Sequence, residues 1–278
     1  MTAAEDVEDL EIRLLLEAIA ARYGYDLRDY RRAPMRRRVH NALAKSGAAN
    51  LGELQHLVLT DRRVFAAVLE NLTVQVSEMF RDPDFYRQFR EEVVPVLRTY
   101  PQIKMWHAGC ASGEEVYTSA ILMSEAGLYD RTQIYATDLS PTAIERAKEG
   151  VYAAERAPAF AQNYAAAGGS GAFDAYYAVA YDRIAVREPL RRNLVFFQHD
   201  LVCDHAFGEM QVIFCRNVLI YFGRELRARV LGKLGQGLCR GGFLCLGQSE
   251  RITPAAEAPA FAALPGAAPI YQLGGHPS

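Results

Sequence analysis

The chain lacks the features that point to a metal-binding, disulfide-stabilised or membrane-spanning protein. It has five cysteines in 278 residues and no Cys-x-x-Cys pair, which supports neither a zinc site nor a disulfide framework. No run approaches the roughly 18–20 apolar residues that a membrane-spanning helix needs. The acidic start MTAAEDVEDLEIRLL also lacks the basic and apolar regions of a signal peptide. We therefore expect a cytoplasmic protein with reduced cysteines, no metal and no insertion into the membrane.

Charge of either sign is also not in large excess. The net charge is -2, so the balance of the whole chain points neither to nucleic acid nor to a membrane surface. There is no Gly-Lys-[Ser/Thr] sequence, which excludes a P-loop for nucleoside triphosphates. What the chain does have is apolar residues at 50% of its positions, enough for the core of one large domain or two smaller ones.

The first third of the chain has helical periodicity. Apolar residues recur three and four positions apart, for example at Leu10, Leu14 and Leu15, and nothing there alternates as a strand does. Asn50 and Asp61 are predicted N-caps of two of these helices. We predict an all-α N-terminal domain over residues 1–82, with a break near Pro34, and a linker helix over residues 83–102.

From Ile103 onwards short apolar runs alternate with helical segments. This alternation predicts a parallel sheet with helices on both faces, in which ligands bind at the carboxyl ends of the strands. The predicted domain spans residues 103–278, and a hairpin turning near Asp182 forms a small antiparallel β-subdomain at about 172–192. Residues 153–171, rich in Ala and Gly, are predicted to be loop with some helix. The predicted strands are Ile103–His107, Gln133–Thr137, Leu194–Gln198, Val212–Cys215, Gly242–Gly247 and Ile270–Leu273. The predicted helices are Glu114–Ala126, Pro141–Lys148 and Arg224–Leu238.

The strongest local pattern is the turn between the first strand and its helix, in AGCASGEEVYT. Gly109 lets the backbone approach a ligand closely. Glu115 at the helix start repels a phosphate, whereas a ligand with a sulfonium and an ammonium, such as S-adenosylmethionine, would be attracted. Asp138 ends the next strand, where a carboxylate can accept hydrogen bonds from ribose hydroxyls. Two alternatives stay open from this pattern alone: both acids are only helix caps, or the cofactor is NAD.

Other polar residues follow predicted strands or precede the linker helix. Arg216 and Asn217 directly follow an apolar strand in VIFCRNVLIYF, and Tyr221 lies four residues beyond Asn217. Asp200 ends the strand in FFQHDLV, and Arg81 stands just before Pro83. Such residues at the carboxyl edge either line a site or cap a helix.

Together these segments resemble the CheR family of chemoreceptor glutamate methyltransferases. The resemblance lies in SEMFRDP, AGCASGEEVYT, ATDLS, FCRNVLIYF and GGFLCLGQSE, in chain order, and covers nearly the whole chain from about Leu10. It implies an α/β class I (Rossmann-like) methyltransferase domain with a small inserted antiparallel β-subdomain, preceded by an all-α domain. It also implies S-adenosylmethionine as cofactor and S-adenosylhomocysteine as product.

The resemblance assigns residues one by one. The implied cofactor contacts are Gln75, Ser77, Arg81, Gly109, Glu115, Asp138, Asp200, Leu201, Arg216 and Asn217. The chain departs from the family where Gln75 and Ser77 replace Asn and Thr, Asp200 replaces an Asn that is frequent there, and Val116 replaces Pro. The first two substitutions keep hydrogen-bonding groups, so we retain both positions as contacts.

Methyl transfer to a glutamate needs no strong base, because the carboxylate is already ionised near pH 7. The enzyme must align the carboxylate with the methyl group and exclude water. This agrees with the lack of a Ser-His-Asp or metal-ligand pattern in the sequence. We predict that Tyr221 orients the acceptor carboxylate and that Arg81 acts near the reaction centre or the carboxylate of the cofactor.

The sharpest charge cluster is RDYRRAPMRRRVH, residues 28–40. It is either a solvated helix face or a docking surface for an acidic partner, and the resemblance implies the acidic methylation helices of a chemoreceptor. Nucleic acid is disfavoured because the cluster is short and has few aromatics, and a phosphorylated small ligand is a weaker alternative. The predicted docking residues are Arg31, Arg32, Arg36, Arg37 and Arg38.

Three functions compete at this point. The first is glutamate methylation of chemoreceptors by a monomeric enzyme, the second is a methyltransferase of the same fold with another acceptor, and the third is a regulatory module that only binds the cofactor. The turn of the predicted β-subdomain, AYDRIAV, is short and lacks glycine. We therefore expect receptor recognition that does not depend on binding a C-terminal peptide of the receptor.

Overall fold

The computed structural model describes residues 7–73, 77–252 and 261–274. Its N-terminal part is helical, as predicted, and its buried apolar residues form a core of their own. Asn50 accepts a hydrogen bond from the amide of Glu53 at 2.9 Å, and Asp61 caps the next helix in the same way, so both predicted N-caps are confirmed. The expected break near Pro34 is wrong, because proline fits the first turn of a helix. The helices are α1 (Val7–Tyr23), α2 (Arg32–Ser46), α3 (Leu51–Thr60) and α4 (Arg62–Leu72).

The linker is one continuous helical stretch of three parts. It consists of α5 (Pro83–Gln88), a π-helical segment (Phe89–Val93) and α6 (Val94–Leu97), so it ends five residues before the predicted end at residue 102. A π-helical segment inserts an extra residue into a helix and is difficult to detect from periodicity. The linker packs into the same core as one face of the main sheet.

Within the described residues, ten strands form two sheets. The strands are β1 (Ile103–Ala108), β2 (Thr132–Asp138), β3 (Val151–Ala153), β4 (Tyr177–Ala180), β5 (Arg183–Val186), β6 (Leu194–Gln198), β7 (Met210–Cys215), β8 (Leu238–Leu246), β9 (Phe261–Ala263) and β10 (Ile270–Leu273). The main sheet has the order β6-β2-β1-β7-β8-β10-β9. Its first five strands are parallel, whereas β10 runs antiparallel to both β8 and β9. The expected parallel sheet is therefore correct except at this edge.

Helices cover both faces of the main sheet. Along β1 successive side chains point to opposite faces, so Met105 enters one core and Trp106 the other. The first core also contains residues of α7 (Glu114–Glu125) and α8 (Pro141–Glu149), and the second contains residues of α10 (Arg224–Gln236). The strand order reverses beside β1, where β2 and β7 flank it, and an open sheet binds ligands at such a point.

The smaller sheet has the antiparallel order β3-β5-β4. The predicted hairpin with its turn at Asp182 is confirmed as β4 and β5. The third strand, β3, was not predicted and lies outside the range 172–192, because three residues are too few to show alternation. Residues 153–171 contain more helix than predicted, since they include α9 (Ala157–Ala166).

The N-terminal helices are joined to the main domain by backbone pairing. The amide of Arg31 donates to the carbonyl of Tyr221 at 2.8 Å, and the amide of Gly223 donates to the carbonyl of Asp29 at 2.9 Å. Between them the rings of Tyr30 and Phe222 meet edge to face. This contact brings α2 to the carboxyl edge of the sheet. In the three described stretches, no helix combines the length and the apolar character needed to cross a membrane.

Candidate active site

A cavity of about 240 Å³ lies between the N-terminal helices and the carboxyl edge of the main sheet. Both parts of the chain contribute walls, with Tyr30 and Arg38 from the helical side and strand-end residues from the other. The predicted residues that line it are Ser77, Arg81, Gly109, Glu115, Asp138, Asp200, Leu201, Arg216, Asn217 and Tyr221. Gln75, also predicted, lies outside the described residues.

The turn from β1 to α7 forms one wall of the cavity. The amides of Gly109 and Cys110 both donate to the carbonyl of Thr137 at 2.8 Å, which ties the turn to β2. Gly109 has φ +83°, and a Cβ there would lie 2.6 Å from Cγ2 of Val218. Glycine is therefore required both by the backbone conformation and by the close approach of the opposite wall.

Asp138 stands at the end of β2, beside this turn. Its carboxylate accepts hydrogen bonds from the amides of Ala111 and Ser140, each at 2.9 Å. Burial raises the pKa of Asp138, and these amide donors oppose that rise. The carboxylate is thus held rigidly at the cavity, and its remaining lone pairs can accept bonds from ligand hydroxyls.

Glu115 forms a buried ion pair with Arg216, which follows β7. Nη1 of Arg216 lies 2.6 Å from Oε1 of Glu115, and the hydroxyl of Tyr86 donates to the same oxygen at 3.0 Å. Nδ1 of His107 lies 3.4 Å from the other carboxylate oxygen. Burial opposes ionisation of Glu115, but Arg216 and His107 outweigh it and lower its pKa to about 2. Glu115 is therefore a carboxylate at every physiological pH.

Arg216 also holds the segment that precedes the linker helix. Its Nη2 lies 2.8 Å from Oδ2 of Asp82, and it donates to the carbonyl of Arg81 at 3.4 Å. Its guanidinium lies 4.0 Å from the ring centroid of Phe85. One arginine thus connects α7, this segment and the end of β7, which fixes three walls of the cavity relative to each other.

Glu250 was not predicted as a site residue, although it ends the motif GGFLCLGQSE. It is fully buried, and its carboxylate accepts from the amides of Asn217 (2.8 Å), Ile220 (3.0 Å) and Gly247 (2.6 Å). Asn217 has φ +61°, which is unusual for a non-glycine residue. Glu250 therefore holds the loop after β7 in the shape that directs Tyr221 to the cavity. A carboxylate three residues beyond the predicted end of an apolar strand, at Gly247, was the available signal.

The side chain of Asp200 stabilises the turn in which it lies. Its side chain accepts from the amides of Val202 (2.7 Å) and Cys203 (3.4 Å), and its amide donates to Asp204. Burial raises its pKa above the ordinary value of an aspartate. Asp200 and Leu201 both reach the cavity, so the turn presents one polar and one apolar group to a ligand.

The predicted docking arginines separate into three environments. Arg31, Arg32 and Arg37 are exposed. Arg36 is half-buried and paired with Glu8 and Asp9 of α1. Arg38 is buried and lines the cavity, so it cannot belong to an exposed basic surface, and its role in substrate binding stays a prediction. Its position depends on tertiary neighbours: it donates to the carbonyl of Leu72 at 2.9 Å, and its guanidinium lies 4.1 Å from the ring centroid of Tyr221.

The groups around the cavity fit S-adenosylmethionine. The carboxylates of Glu115 and Asp138 suit a ligand that donates from an ammonium and from ribose hydroxyls, and the turn at Gly109 leaves room for its backbone to approach the ligand. The half-buried Arg81 supplies a cation for a ligand carboxylate. Among residues 7–73, 77–252 and 261–274 there is no group of three His, Cys, Asp or Glu side chains that could hold a metal ion.

Comparison with known proteins gives two family matches. The model described as CheR methyltransferase, all-alpha domain, matches residues 10–73, and that described as CheR methyltransferase, SAM binding domain, matches residues 75–265. A putative methyltransferase named Cher3 from Pseudomonas putida is 48% identical over 88% of this chain and 89% of its own. A chemotaxis protein methyltransferase of Listeria innocua is 30% identical (84% and 87%), and chemotaxis protein methyltransferase 1 of Pseudomonas aeruginosa is 31% identical (77% and 80%).

Proposed function

The chain belongs to the CheR methyltransferase family and is an S-adenosylmethionine-dependent methyltransferase, and from this premise we propose that it methylates glutamate side chains of chemotaxis receptors. The products are glutamate methyl esters and S-adenosylhomocysteine. The observation that carries the proposal is the pair Arg38 and Tyr221, which line the same cavity as the candidate cofactor groups. A guanidinium beside a phenol hydroxyl suits an anionic acceptor better than an amine.

On the cofactor side, the acids and Arg81 have distinct roles. Asp138 would bind the ribose hydroxyls, and Glu115, kept ionised by Arg216, would attract the ammonium. Arg81 would bind the cofactor carboxylate. The remaining predicted contacts, Gln75, Ser77, Gly109, Asp200, Leu201 and Asn217, would complete the enclosure. The bound cofactor supplies a methyl group activated by the sulfonium.

On the acceptor side, the chain binds and aligns a carboxylate. Arg38 attracts the glutamate, and the hydroxyl of Tyr221 donates to one carboxylate oxygen, so that the other oxygen points at the methyl carbon. With the cofactor bound, a C–O bond would form as its S–CH₃ bond breaks, and the bonding electrons would pass to sulfur. No proton moves, which is why the site needs no general base.

The proposed partner is the acidic methylation region of a receptor's cytoplasmic helices, so the enzyme would act in the cytoplasm, as a monomer. Two of the relatives are named chemotaxis protein methyltransferases. The exposed Arg31, Arg32 and Arg37 add positive charge around the start of α2, between and beside Tyr30 and Arg38, which line the cavity. Acidic helices would be attracted to this charge, and the attraction would weaken as salt screens it.

The test is transfer of tritiated methyl groups from S-adenosylmethionine to receptor-containing membranes. We expect label that alkali releases as volatile methanol, because carboxyl esters hydrolyse in base. Receptors with glutamine at the methylation sites serve as the control and should stay unlabelled. Alkali-stable label, or equal labelling of the control receptors, would contradict the proposal.

The docking role of these arginines is tested separately with R32E/R37E. We expect a raised KM for the receptor, strongest at low salt, with unchanged affinity for S-adenosylhomocysteine measured by calorimetry. The matched control is R98E, which reverses the charge of an exposed arginine directly after α6. Loss of S-adenosylhomocysteine binding in R32E/R37E would contradict a docking role.

A further inference from the structure

Ser77–Arg81, which we name the strap, connects the N-terminal domain to the linker helix and brings Ser77 and Arg81 to the cavity. It is neither helix nor strand. Phe80, in its middle, is buried and has φ +53°, an unfavourable conformation for a phenylalanine. Because no repeating backbone hydrogen bonds define its path, the strap must be held by other groups.

Four side chains form hydrogen bonds with the backbone of the strap. Arg156 donates to the carbonyl of Ser77, and Asn163 donates to that of Met79 at 3.2 Å. Arg216 donates to the carbonyl of Arg81, as described above. The amide of Phe80 donates to Thr118 Oγ1 on α7 at 3.0 Å. Arg156 and Asn163 both come from the segment between β3 and β4, so the inserted part of the chain supplies two of these four contacts.

Arg156 has a second partner at the cofactor turn. Its Nη1 lies 2.7 Å from Oε1 of Glu114, the first residue of α7, whose side chain is fully buried. The other carboxylate oxygen of Glu114 accepts from the hydroxyl of Ser112, within the turn, at 2.6 Å. The guanidinium of Arg156 also lies 4.8 Å from the ring centroid of Phe160. Arg156 thus bridges the strap and the cofactor turn with a guanidinium fixed by packing.

We infer that Arg156 is a positioning residue for cofactor binding, which joins the strap to the start of α7 and so keeps Ser77 and Arg81 in the cavity. The inference rests on the proposed cofactor site. It gives the inserted segment a role in cofactor affinity that is independent of any partner that the β-subdomain binds. Two bonds are involved, one to the Ser77 carbonyl and one to Glu114, and they can be separated experimentally.

The test compares R156Q with E114Q/R156Q. We expect R156Q to raise the Kd for S-adenosylhomocysteine about tenfold by calorimetry, since a charged hydrogen bond to the strap is lost. The KM for S-adenosylmethionine should rise in parallel, whereas kcat at saturating cofactor should change less. R156Q also leaves Glu114 buried without its cation, so its melting temperature should fall. E114Q/R156Q should recover the melting temperature but not the Kd.

The matched control is R183Q, which alters an exposed arginine of the smaller sheet and should leave the Kd unchanged. An unchanged Kd in R156Q would overturn the inference. Full recovery of the Kd in E114Q/R156Q would also overturn it, because Arg156 would then be only a counter-charge for Glu114. The calorimetry uses no methyl acceptor. A wild-type protein that binds S-adenosylhomocysteine but leaves receptors unlabelled would therefore contradict the proposed acceptor and not this role of Arg156.

Discussion

Replacing Arg216 with methionine should lower the free energy of unfolding by about 3–5 kcal/mol, the usual cost of removing one partner of a buried ion pair. The side chain of Arg216 is 1% exposed and binds Glu115 and Asp82 at 2.6 and 2.8 Å. The lowering of the Glu115 pKa to about 2 has the same direction, because Arg216 and His107 together outweigh the cost of burying this carboxylate.

The loss should depend on pH in a defined direction. In the native enzyme the lowered pKa means that the contribution of Glu115 is complete above pH 4.5 and is lost as the pH falls towards 2. Without Arg216, only His107 of the two groups named above still opposes the effect of burial, so the pKa of Glu115 should rise from its native value. The R216M variant is then penalised for a buried, unpaired charge near pH 7, and protonation should relieve part of this penalty as the pH falls towards 5.

Urea unfolding followed by fluorescence measures this effect, because the single tryptophan of the chain, Trp106, is buried in β1. The double variant R216M/E115Q should recover part of the loss, since no unpaired carboxylate remains at position 115. The control R192M removes an exposed arginine paired with Asp130 and should cost less than about 1 kcal/mol. A loss below 1 kcal/mol in R216M, or a loss that grows on acidification, would refute the reasoning.

Three further predictions concern residues that line the cavity or support its walls. Gly109→Ala should weaken S-adenosylhomocysteine binding in calorimetry, because the new Cβ would meet Val218. Adding Val218→Ala should recover part of the lost affinity. A normal Kd in Gly109→Ala alone would contradict the steric argument. Tyr221→Phe should lower kcat/KM on receptors about tenfold, equivalent to one orienting hydrogen bond, with an unchanged Kd for S-adenosylhomocysteine; an unchanged kcat/KM would rule out a role for the hydroxyl. Glu250→Gln should lower the free energy of unfolding by about 1–3 kcal/mol in urea denaturation, because an NH₂ group would face the backbone amides that the carboxylate binds. An unchanged free energy of unfolding would show that these hydrogen bonds are dispensable.

Elements with many periodic residues could be predicted from the sequence. The bounds of β6 and β10 agree with the prediction, and those of the long helices differ by a few residues, because apolar spacing and caps are local signals. The strand β3 and the antiparallel direction of β10 could not be predicted. A strand of three residues has too little alternation, and strand direction depends on connections across the sheet.

The residues of the candidate site also divide into those whose position could be predicted from the sequence and those whose position could not. Asp138 and Arg216 could be placed at one edge in advance, because parallel strands bring their carboxyl ends together. The positions of Arg38 and Glu250 at the site could not be predicted from the sequence. Arg38 is withdrawn from the basic surface by Leu72 and Tyr221, and Glu250 acts on amides about 30 residues away in the chain. Such roles depend on tertiary neighbours that spacing does not reveal.

The backbone pairing of Asp29 and Arg31 with Gly223 and Tyr221 has a consequence for how this enzyme can change. The wall with Arg38 belongs to the helical domain, whereas the turn at Gly109 belongs to the sheet. If the proposed roles hold, substitutions on α2 should change the preference for the methyl acceptor while the proposed cofactor contacts on the sheet stay in place. The same pairing makes turnover depend on the two parts staying joined, because separating them would remove Tyr30 and Arg38 from the cavity.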